Sequence, residues 1–328
     1  MTPIISIIIP FYKTPHILLR KAINSLLKQS FQDFELLIIN DGNTDEYNYL
    51  IDEYIIRDKR IKFIYQENSG VSAARNLGIR SATGKYIIFH DADDFVENNY
   101  LYSLYYEIQR SDLVICGVAA QRYPSIDSYV DIREFLSTPS QYNYVQYTNF
   151  SVNKIFKRDI LIENNIFFHE DLKLGEDALF ISEYISKCKL IRCISQNLYY
   201  YIPYQSSATR KYDSKYWEYE KRVIESQLSL FSTYPLNKNE EDFQLHWLYL
   251  KLRGTLFYYL WWEKDHSLRD HILKDIANSK YFKLVLAEKD SLCHSRIDRL
   301  VIHLWKKLGV NGIKFSYYLK IIKDRFNK

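Results

Sequence analysis

Asp91-Ala92-Asp93-Asp94 puts three carboxylates into one short turn, directly after the strand-like run YIIFH at residues 86–90. Carboxylate oxygens are what hard divalent cations take as ligands, and such a cation neutralises a diphosphate leaving group. Asp91 and Asp93 stand two apart, so in an extended loop they face the same way. Acidic turns are also ordinary surface structure, and the pattern alone does not decide between the two. Asp41 lies in Asn40-Asp41-Gly42-Asn43-Thr44-Asp45. It reads either as an Asp-Gly turn with Thr44 or Asp45 capping the next helix, or as a carboxylate accepting from a base N–H such as the imide of uracil. Arg75, in GVSAARN, is either a surface ion-pairing residue or a guanidinium fork for phosphates. Glu176-Asp177 follows Gly175 and precedes an apolar helix. The pair either caps that helix or holds a general base for an acceptor hydroxyl.

These residues need elements to position them. The apolar run 4–9 reads as a strand buried on both faces, ending at Pro10. Thr14 caps a helix with Pro15 at its first position, and Ile17, Leu18, Ala22, Leu26 and Leu27 share one face. Strands follow at 34–40, 61–65, 86–90 and 112–118, with helices at 44–57 and within 69–80. Strand–helix repeats with short loops predict a parallel, doubly wound sheet. Ligands bind such sheets outside the carboxyl ends of the strands. Pro10 and Tyr12, Asp41, and Asp91 with Asp93 all fall at those ends, which places them on one edge. Residues 121–150 are polar and Tyr-rich without a clear period, and read as a loop region. Residues 152–161 read as a strand entering a helix, 178–187 as a helix and 191–201 as a last strand. From about 211 onward only helical patterns appear, so the chain divides into residues 1–212 and 213–328.

The bulk properties fit a globular chain. It has 328 residues, 47% hydrophobic and 26% charged, with a formal net charge of +4. That charge neither demands nor excludes an anionic partner. No apolar run approaches the ~20 residues of a membrane span, and the start lacks the basic end and cleavage site of a signal peptide. A cytoplasmic protein is expected. The cysteines at 116, 188, 193 and 293 have no metal-ligand spacing and read as reduced structural thiols. The 30 tyrosines suit sugar stacking but also match a general bias toward Ile, Lys, Asn and Tyr.

Six motifs in order carry a resemblance: PFY, SLLKQSFQDFELLIINDGNTDE, NSGVSAARNLGIRSATGKYIIFHDADD, NKIFKRDIL, GEDALF and YYY followed by Ser. Over roughly residues 3–210 the chain resembles the family 2 glycosyltransferases of bacteria. The resemblance implies a GT-A fold (a Rossmann-like, mostly parallel sheet flanked by helices), here with a mainly α-helical C-terminal extension, and transfer of a sugar from a UDP-sugar with inversion. It implies that Pro10 and Tyr12 flank the uracil, Asp41 binds its imide and Arg75 helps hold the diphosphate. It also implies that Asp91, with Ala92, contacts the donor, Asp93 ligates Mn²⁺ or Mg²⁺, Asp177 is the base, and Glu176 lies beside it near the acceptor. The acceptor would be a glycan, lipid-linked or protein-linked hydroxyl of cell-surface polysaccharide or capsule biosynthesis. Three departures stand out. Asn40 replaces the usual first Asp of Asp-Asp-Gly-Ser, Asn43 replaces its Ser, and residues 199–210 carry no His. Ser207, Arg210 or Lys211 would then serve the phosphates.

Residues 296–328 hold nine Lys/Arg against two Asp, a surplus of seven, among Leu, Ile, Trp and Tyr. Such a segment either lies on an anionic membrane surface or packs on the catalytic domain or a second copy. Two other functions compete. A nucleotidyltransferase would show a Gly-rich, basic signature after the first strand, where Pro10-Phe11-Tyr12 stands. A non-catalytic glycan-binding subunit would not need Asp93 and Asp177. Nucleic acid is not expected as a partner, because no recognisable binding module is present.

Overall fold

The computed structural model describes residues 2–119, 127–137, 149–203, 212–233, 235, 237–287 and 295–326. The chain forms two compact units, Met1–Ser207 and Ala208–Lys328.

The first unit carries strands β1 (Ile5–Phe11), β2 (Phe34–Asp41), β3 (Ile61–Gln66), β4 (Tyr86–Phe89), β5 (Phe95–Val96), β6 (Leu113–Val118), β7 (Ser128–Asp131), β8 (Lys154–Lys157) and β9 (Leu190–Tyr200). Its helices are α1 (His16–Leu27), α2 (Asp45–Arg57), α3 (Val71–Ser81), α4 (Tyr100–Ile108), α5 (Ile132–Ser137), α6 (Arg158–Glu163) and α7 (Glu176–Ile185). Strands lie in the order β3-β2-β1-β4-β8-β6-β9-β5, with β7 also on β9. The first four are parallel, so their carboxyl ends share one edge. The sheet is not parallel throughout. β8 enters reversed between β4 and β6, and β5 and β7 run antiparallel along opposite ends of β9.

β1 and β2 are buried at every position, which is why they read as continuous apolar runs. β1 continues through Pro10 to Phe11. In a parallel strand a residue's N–H and C=O point the same way, and Ile8 O accepts from His90 N on the β4 side at 3.0 Å. Pro10 therefore turns its missing donor toward a stretch where β4 has already ended. Thr14 does not cap α1. Pro15 is the N-cap, with Leu18 N and Leu19 N bonding to Pro15 O, while Thr14 O accepts from Tyr47 Oη at 2.9 Å. Residues 128–137 form β7 and α5 rather than irregular loop, because Val130 and Phe135 bury against the sheet edge. Residues 120–126 and 138–148 of that region lie outside the described residues.

Helices cover both faces. On one, Leu19, Ile23, Leu26, Leu50, Ile51, Leu101 and Leu104 share a core with Ile5, Ile7 and Ile9. Each such buried side chain contributes about 1.5–3 kcal/mol. On the other face α3 comes unusually close to β1. A Cβ on Gly78 would sit 2.4 Å from Ile8 Cγ2, so only glycine permits this approach. Beside it, Phe89, Phe156, Phe168, Phe180 and Tyr184 form one aromatic cluster, with Phe168 and Phe180 stacked at 4.0 Å. This cluster fastens α7 to the sheet.

The second unit is helical: α8 (Tyr216–Phe231), α9 (Lys238–Trp262), α10 (His266–Asn278), α11 (Lys280–Ala287), α12 (Arg296–Leu308) and α13 (Val310–Phe326). A capping box of Asn237 and Glu240 starts α9. Trp217, Trp247 and Trp305 are core residues, whereas Trp261 and Trp262 are exposed. Cys116, Cys188 and Cys193 are buried free thiols, and Cys293 lies outside the described residues.

Candidate active site

The loops after β1 and β2 are tied by Asn43, the departure from the usual Ser. Its Nδ2 donates to Phe11 O at 2.9 Å and its Oδ1 accepts from Lys13 N at 2.5 Å. Asn40, the other departure, accepts from Asn43 N and Nδ2, both at 2.7 Å. An amide can donate and accept at once, so this pair clamps the turn that presents Tyr12. Tyr12 is 45% exposed and offers an open ring, whereas Pro10 is buried inside β1. Asp41 is 3% exposed, and its oxygens are already engaged. Oδ1 accepts from Gln66 Nε2 at 2.7 Å and Ser69 N at 2.8 Å, and Oδ2 from Gly70 N at 3.0 Å and Asn68 Nδ2 at 3.3 Å. The carboxylate thus shapes loop 66–70, and a base N–H would have to displace one donor, Asn68 being the most distant.

Arg75 is the hub. It leaves α3 one turn before Gly78, is 4% exposed, and lies against the Phe168 ring at 5.1 Å. Its Nη2 donates to Asp91 at 3.1 Å and its Nη1 to Asp177 at 2.9 Å, with Glu176 at 3.6 Å. It therefore joins the turn after β4 to the start of α7. Reaching a diphosphate would require it to release a carboxylate. Its neighbour Asn76 exchanges two hydrogen bonds with the Phe168 backbone, both at 2.8 Å, and donates to Glu170 at 2.9 Å. Gly175 precedes α7 in the left-handed region at φ 82°, which turns Glu176 and Asp177 toward Arg75. The N-cap of α7 is Gly175, which has no side chain to cap it.

The turn 91–94 divides its labour. Asp91 pairs with Arg75. Ala92 is buried in the core, so only its backbone faces outward. Asp94 accepts from Tyr199 Oη at 2.7 Å and Ile202 N at 2.8 Å, pinning the turn to the end of β9. Among the described residues no cation reaches Asp93. Burial and the Asp91 charge push its carboxyl up to about 6. A hard divalent cation fits this donor by its chemistry. No group of three or more His, Cys, Asp or Glu forms a metal cage among the described residues. The remaining oxygens would have to come from substrate and water.

Burial also raises the proton affinity of Asp177, as does Asp91, while Arg75 pulls it back. Glu176 rises to about 7 through burial and the Asp177 charge. Burial opposes the charge on Arg75, and the three carboxylates more than restore it. Carboxyls perturbed by burial and by specific charge partners mark this cluster as the candidate site.

Of the residues singled out in the sequence, the structure brings Arg75, Asp91, Glu176 and Asp177 into contact, with Asp93 beside them in the turn. Asp41 and Tyr12 sit along the same edge. Ser207, Arg210 and Lys211 lie outside the described residues. Asn43 was noted in the sequence only as a departure from the usual Ser, and Asn76 and Phe168 were not singled out at all. Asn76 follows Arg75 directly, and a second polar residue in an otherwise buried helix start was the available signal.

The family described as Glycosyl transferase family 2 matches residues 6–174. The Bacillus subtilis (strain 168) glycosyltransferase EpsJ is 28% identical over 248 residues, covering 72% of each chain. Staphylococcus aureus TarS (residues 1–349), solved with UDP-GlcNAc, superposes with a TM-score of 0.74 at 20% identity, over 97% of this chain and 92% of that one. The Pyrobaculum calidifontis mannosyltransferase PcManGT, solved with GDP-Man and Mn²⁺, gives a TM-score of 0.53 at 14% identity, over 99% and 88%.

Proposed function

The chain belongs to glycosyl transferase family 2 and has its GT-A fold, and from that premise we propose that it moves a sugar from a UDP-sugar to an acceptor hydroxyl with inversion at the anomeric carbon. The observation that carries this reading is the double grip of Arg75 on Asp91 and Asp177. A residue at the donor edge and a partly buried carboxylate of raised proton affinity are held on one guanidinium.

In this reading Tyr12 stacks on the uracil and Asp41 takes its imide in exchange for Asn68. Asp91 meets the ribose or sugar, with the Ala92 backbone beside it. Arg75 keeps the donor turn and the base in register. Asp177 accepts the acceptor proton as the new bond forms, and Glu176 lines the acceptor side. Displacement is in line, so no Ser or Cys nucleophile is used. Asp93 would hold Mn²⁺ or Mg²⁺, which would supply charge neutralisation at the diphosphate. Orientation of the two substrates can contribute up to about 7–11 kcal/mol. The uridine donor is supported by the UDP-GlcNAc in TarS, and the metal by the Mn²⁺ in PcManGT.

The acceptor we assign is a glycan, lipid-linked or protein-linked hydroxyl in cell-surface polysaccharide synthesis, reached at the cytoplasmic face of the membrane. Among the described residues no helix is long and apolar enough to cross a membrane. α12 and α13 expose Ile297, Leu300, Leu308, Phe315, Tyr318 and Leu319 among Lys306, Lys307 and Lys320. This mixture of apolar and basic side chains supports peripheral contact with anionic lipid.

The test is a panel of UDP-GlcNAc, UDP-glucose, UDP-galactose and GDP-mannose, read by nucleoside diphosphate release with Mn²⁺ and then EDTA. Metal-dependent UDP release from one UDP-sugar is expected. Release from GDP-mannose alone would overturn the uridine assignment, and undiminished release in EDTA would remove the metal.

A further inference from the structure

A second buried cation, which neither the donor turn nor the Arg75 hub accounts for, also acts on Asp177. Lys154 opens β8 and is fully buried. Its Nζ donates to Phe150 O at 2.7 Å, Val152 O at 3.3 Å and Asn153 Oδ1 at 2.9 Å. All three partners are acceptors. An ammonium has three N–H donors and a neutral amine only two, so the three contacts match the charged form; burial pushes its proton affinity down to about 7, so the ammonium is the main form below that pH. Asn153 is held in turn. It takes the left-handed conformation at φ 57°, its Nδ2 donates to Cys116 O, and its own O accepts from Cys116 N at 3.0 Å.

The two backbone carbonyls that Lys154 grips flank Ser151. Ser151 is fully buried, and its hydroxyl closes no hydrogen bond of good geometry, yet it lies against the Asp177 carboxylate. A buried hydroxyl without a partner costs stability, so its place beside a carboxylate needs a reason. The charge balance supplies a second one. Asp91, Glu176 and Asp177 converge on the single cation of Arg75. The Lys154 charge also acts on Asp177, and Cys116 and Cys193 are the other titratable groups near it.

We propose that Lys154 is a positioning residue for Asp177. Its buried ammonium fixes the 150–153 turn so that Ser151 is ready to donate to the carboxylate. It also stands as a second positive charge, after Arg75, that favours the ionised base. The groups facing Asp177 are then Arg75 from α3, Asp91 from the turn after β4, Glu176 from its own helix, and Ser151 with Lys154 from the approach to β8. The proposal rests on the reading of Asp177 as the base. Its consequence for Asp177 can nevertheless be read without turnover.

The experiment follows the Asp177 carboxyl by ¹³C NMR in aspartate-labelled full-length chain, assigned from Asp177→Asn, across pH. In Lys154→Met the midpoint should rise by about one pH unit, because a cation near a carboxylate lowers its proton affinity. Ser151→Ala should raise it by less, and Lys154→Arg should keep it near the unmodified value. An unchanged midpoint in folded Lys154→Met would overturn the proposal and leave Lys154 purely structural. If Lys154→Met does not fold, Ser151→Ala decides: no upward shift overturns the proposal. Turnover separates this from the underlying reading. If Asp177→Asn releases UDP from UDP-sugar as fast as the unmodified chain, the base assignment fails whatever the midpoints show.

Discussion

Glu176 and Asp177 occupy the first turn of α7 and both approach Arg75, which brings two partly buried like charges together. That arrangement opposes stability. Burial and the Asp177 charge push the Glu176 carboxyl up to about 7, well above the usual carboxylate range. The folded chain therefore binds that proton more tightly than the unfolded chain does. Between the usual range and the raised value stability falls as pH rises. Glu176→Gln removes the penalty and is expected to stabilise the chain by about 1 kcal/mol at pH 8 and by nearly nothing at pH 4. Thermal melts at the two pH values check this, and an equal shift at both would contradict it. The places of Asp91, Asp93 and Asp177 at strand and helix ends were legible in the sequence, but acidic turns and helix starts are common, and it was the ordered set of motifs that singled these three out. The occupancy of Asp41 was not. Its partners come from loop 66–70, 25 to 29 residues further on. Nor could Asn43 be seen to replace Ser usefully until Phe11 O and Lys13 N were found beside it.

Elements aim these residues, and α3 is the most demanding of them. Gly78 lets it rest on Ile8, which brings Arg75 to the strand ends. Gly78→Ala should force Ile8 to shift and destabilise the chain by about 1–3 kcal/mol, partly offset by the better helix propensity of alanine. A melting temperature unchanged or raised in Gly78→Ala would show that the contact relaxes freely. Because Arg75 moves with the helix, turnover should fall together with stability. Strands β1, β2 and β4 were readable because they are buried on both faces and strongly apolar, and the edge strand β3 because its apolar residues partly alternate with polar ones. The reversal of β8 was not, since no local pattern distinguishes a parallel neighbour from an antiparallel one. β5 and β7 escaped notice for a different reason. They are two and four residues long and gain their strand character only from pairing with β9.

At the scale of the whole molecule the catalytic chemistry we assign belongs to the first unit, and the second carries the basic, partly apolar α12–α13 pair. A doubled variant, Leu300→Glu with Leu308→Glu, changes only exposed side chains and should leave folding intact. The unmodified chain is expected to co-sediment with phosphatidylglycerol vesicles, and the variant should stay in the supernatant. Equal sedimentation by both, or equal binding to vesicles of neutral lipid, would contradict the membrane assignment. A change in sedimentation coefficient without vesicles would point to a second copy as the occupant of that face.

The central claim is that one guanidinium holds a donor turn and a catalytic base together, with Asp177 as that base. The most direct measurement pairs donor-binding calorimetry with turnover for Asp177→Asn, using the UDP-sugar that the unmodified chain accepts. The account predicts donor affinity within a few-fold of the unmodified chain and turnover lower by about 10²–10⁴-fold. Retained turnover, or loss of donor binding together with activity, would contradict it.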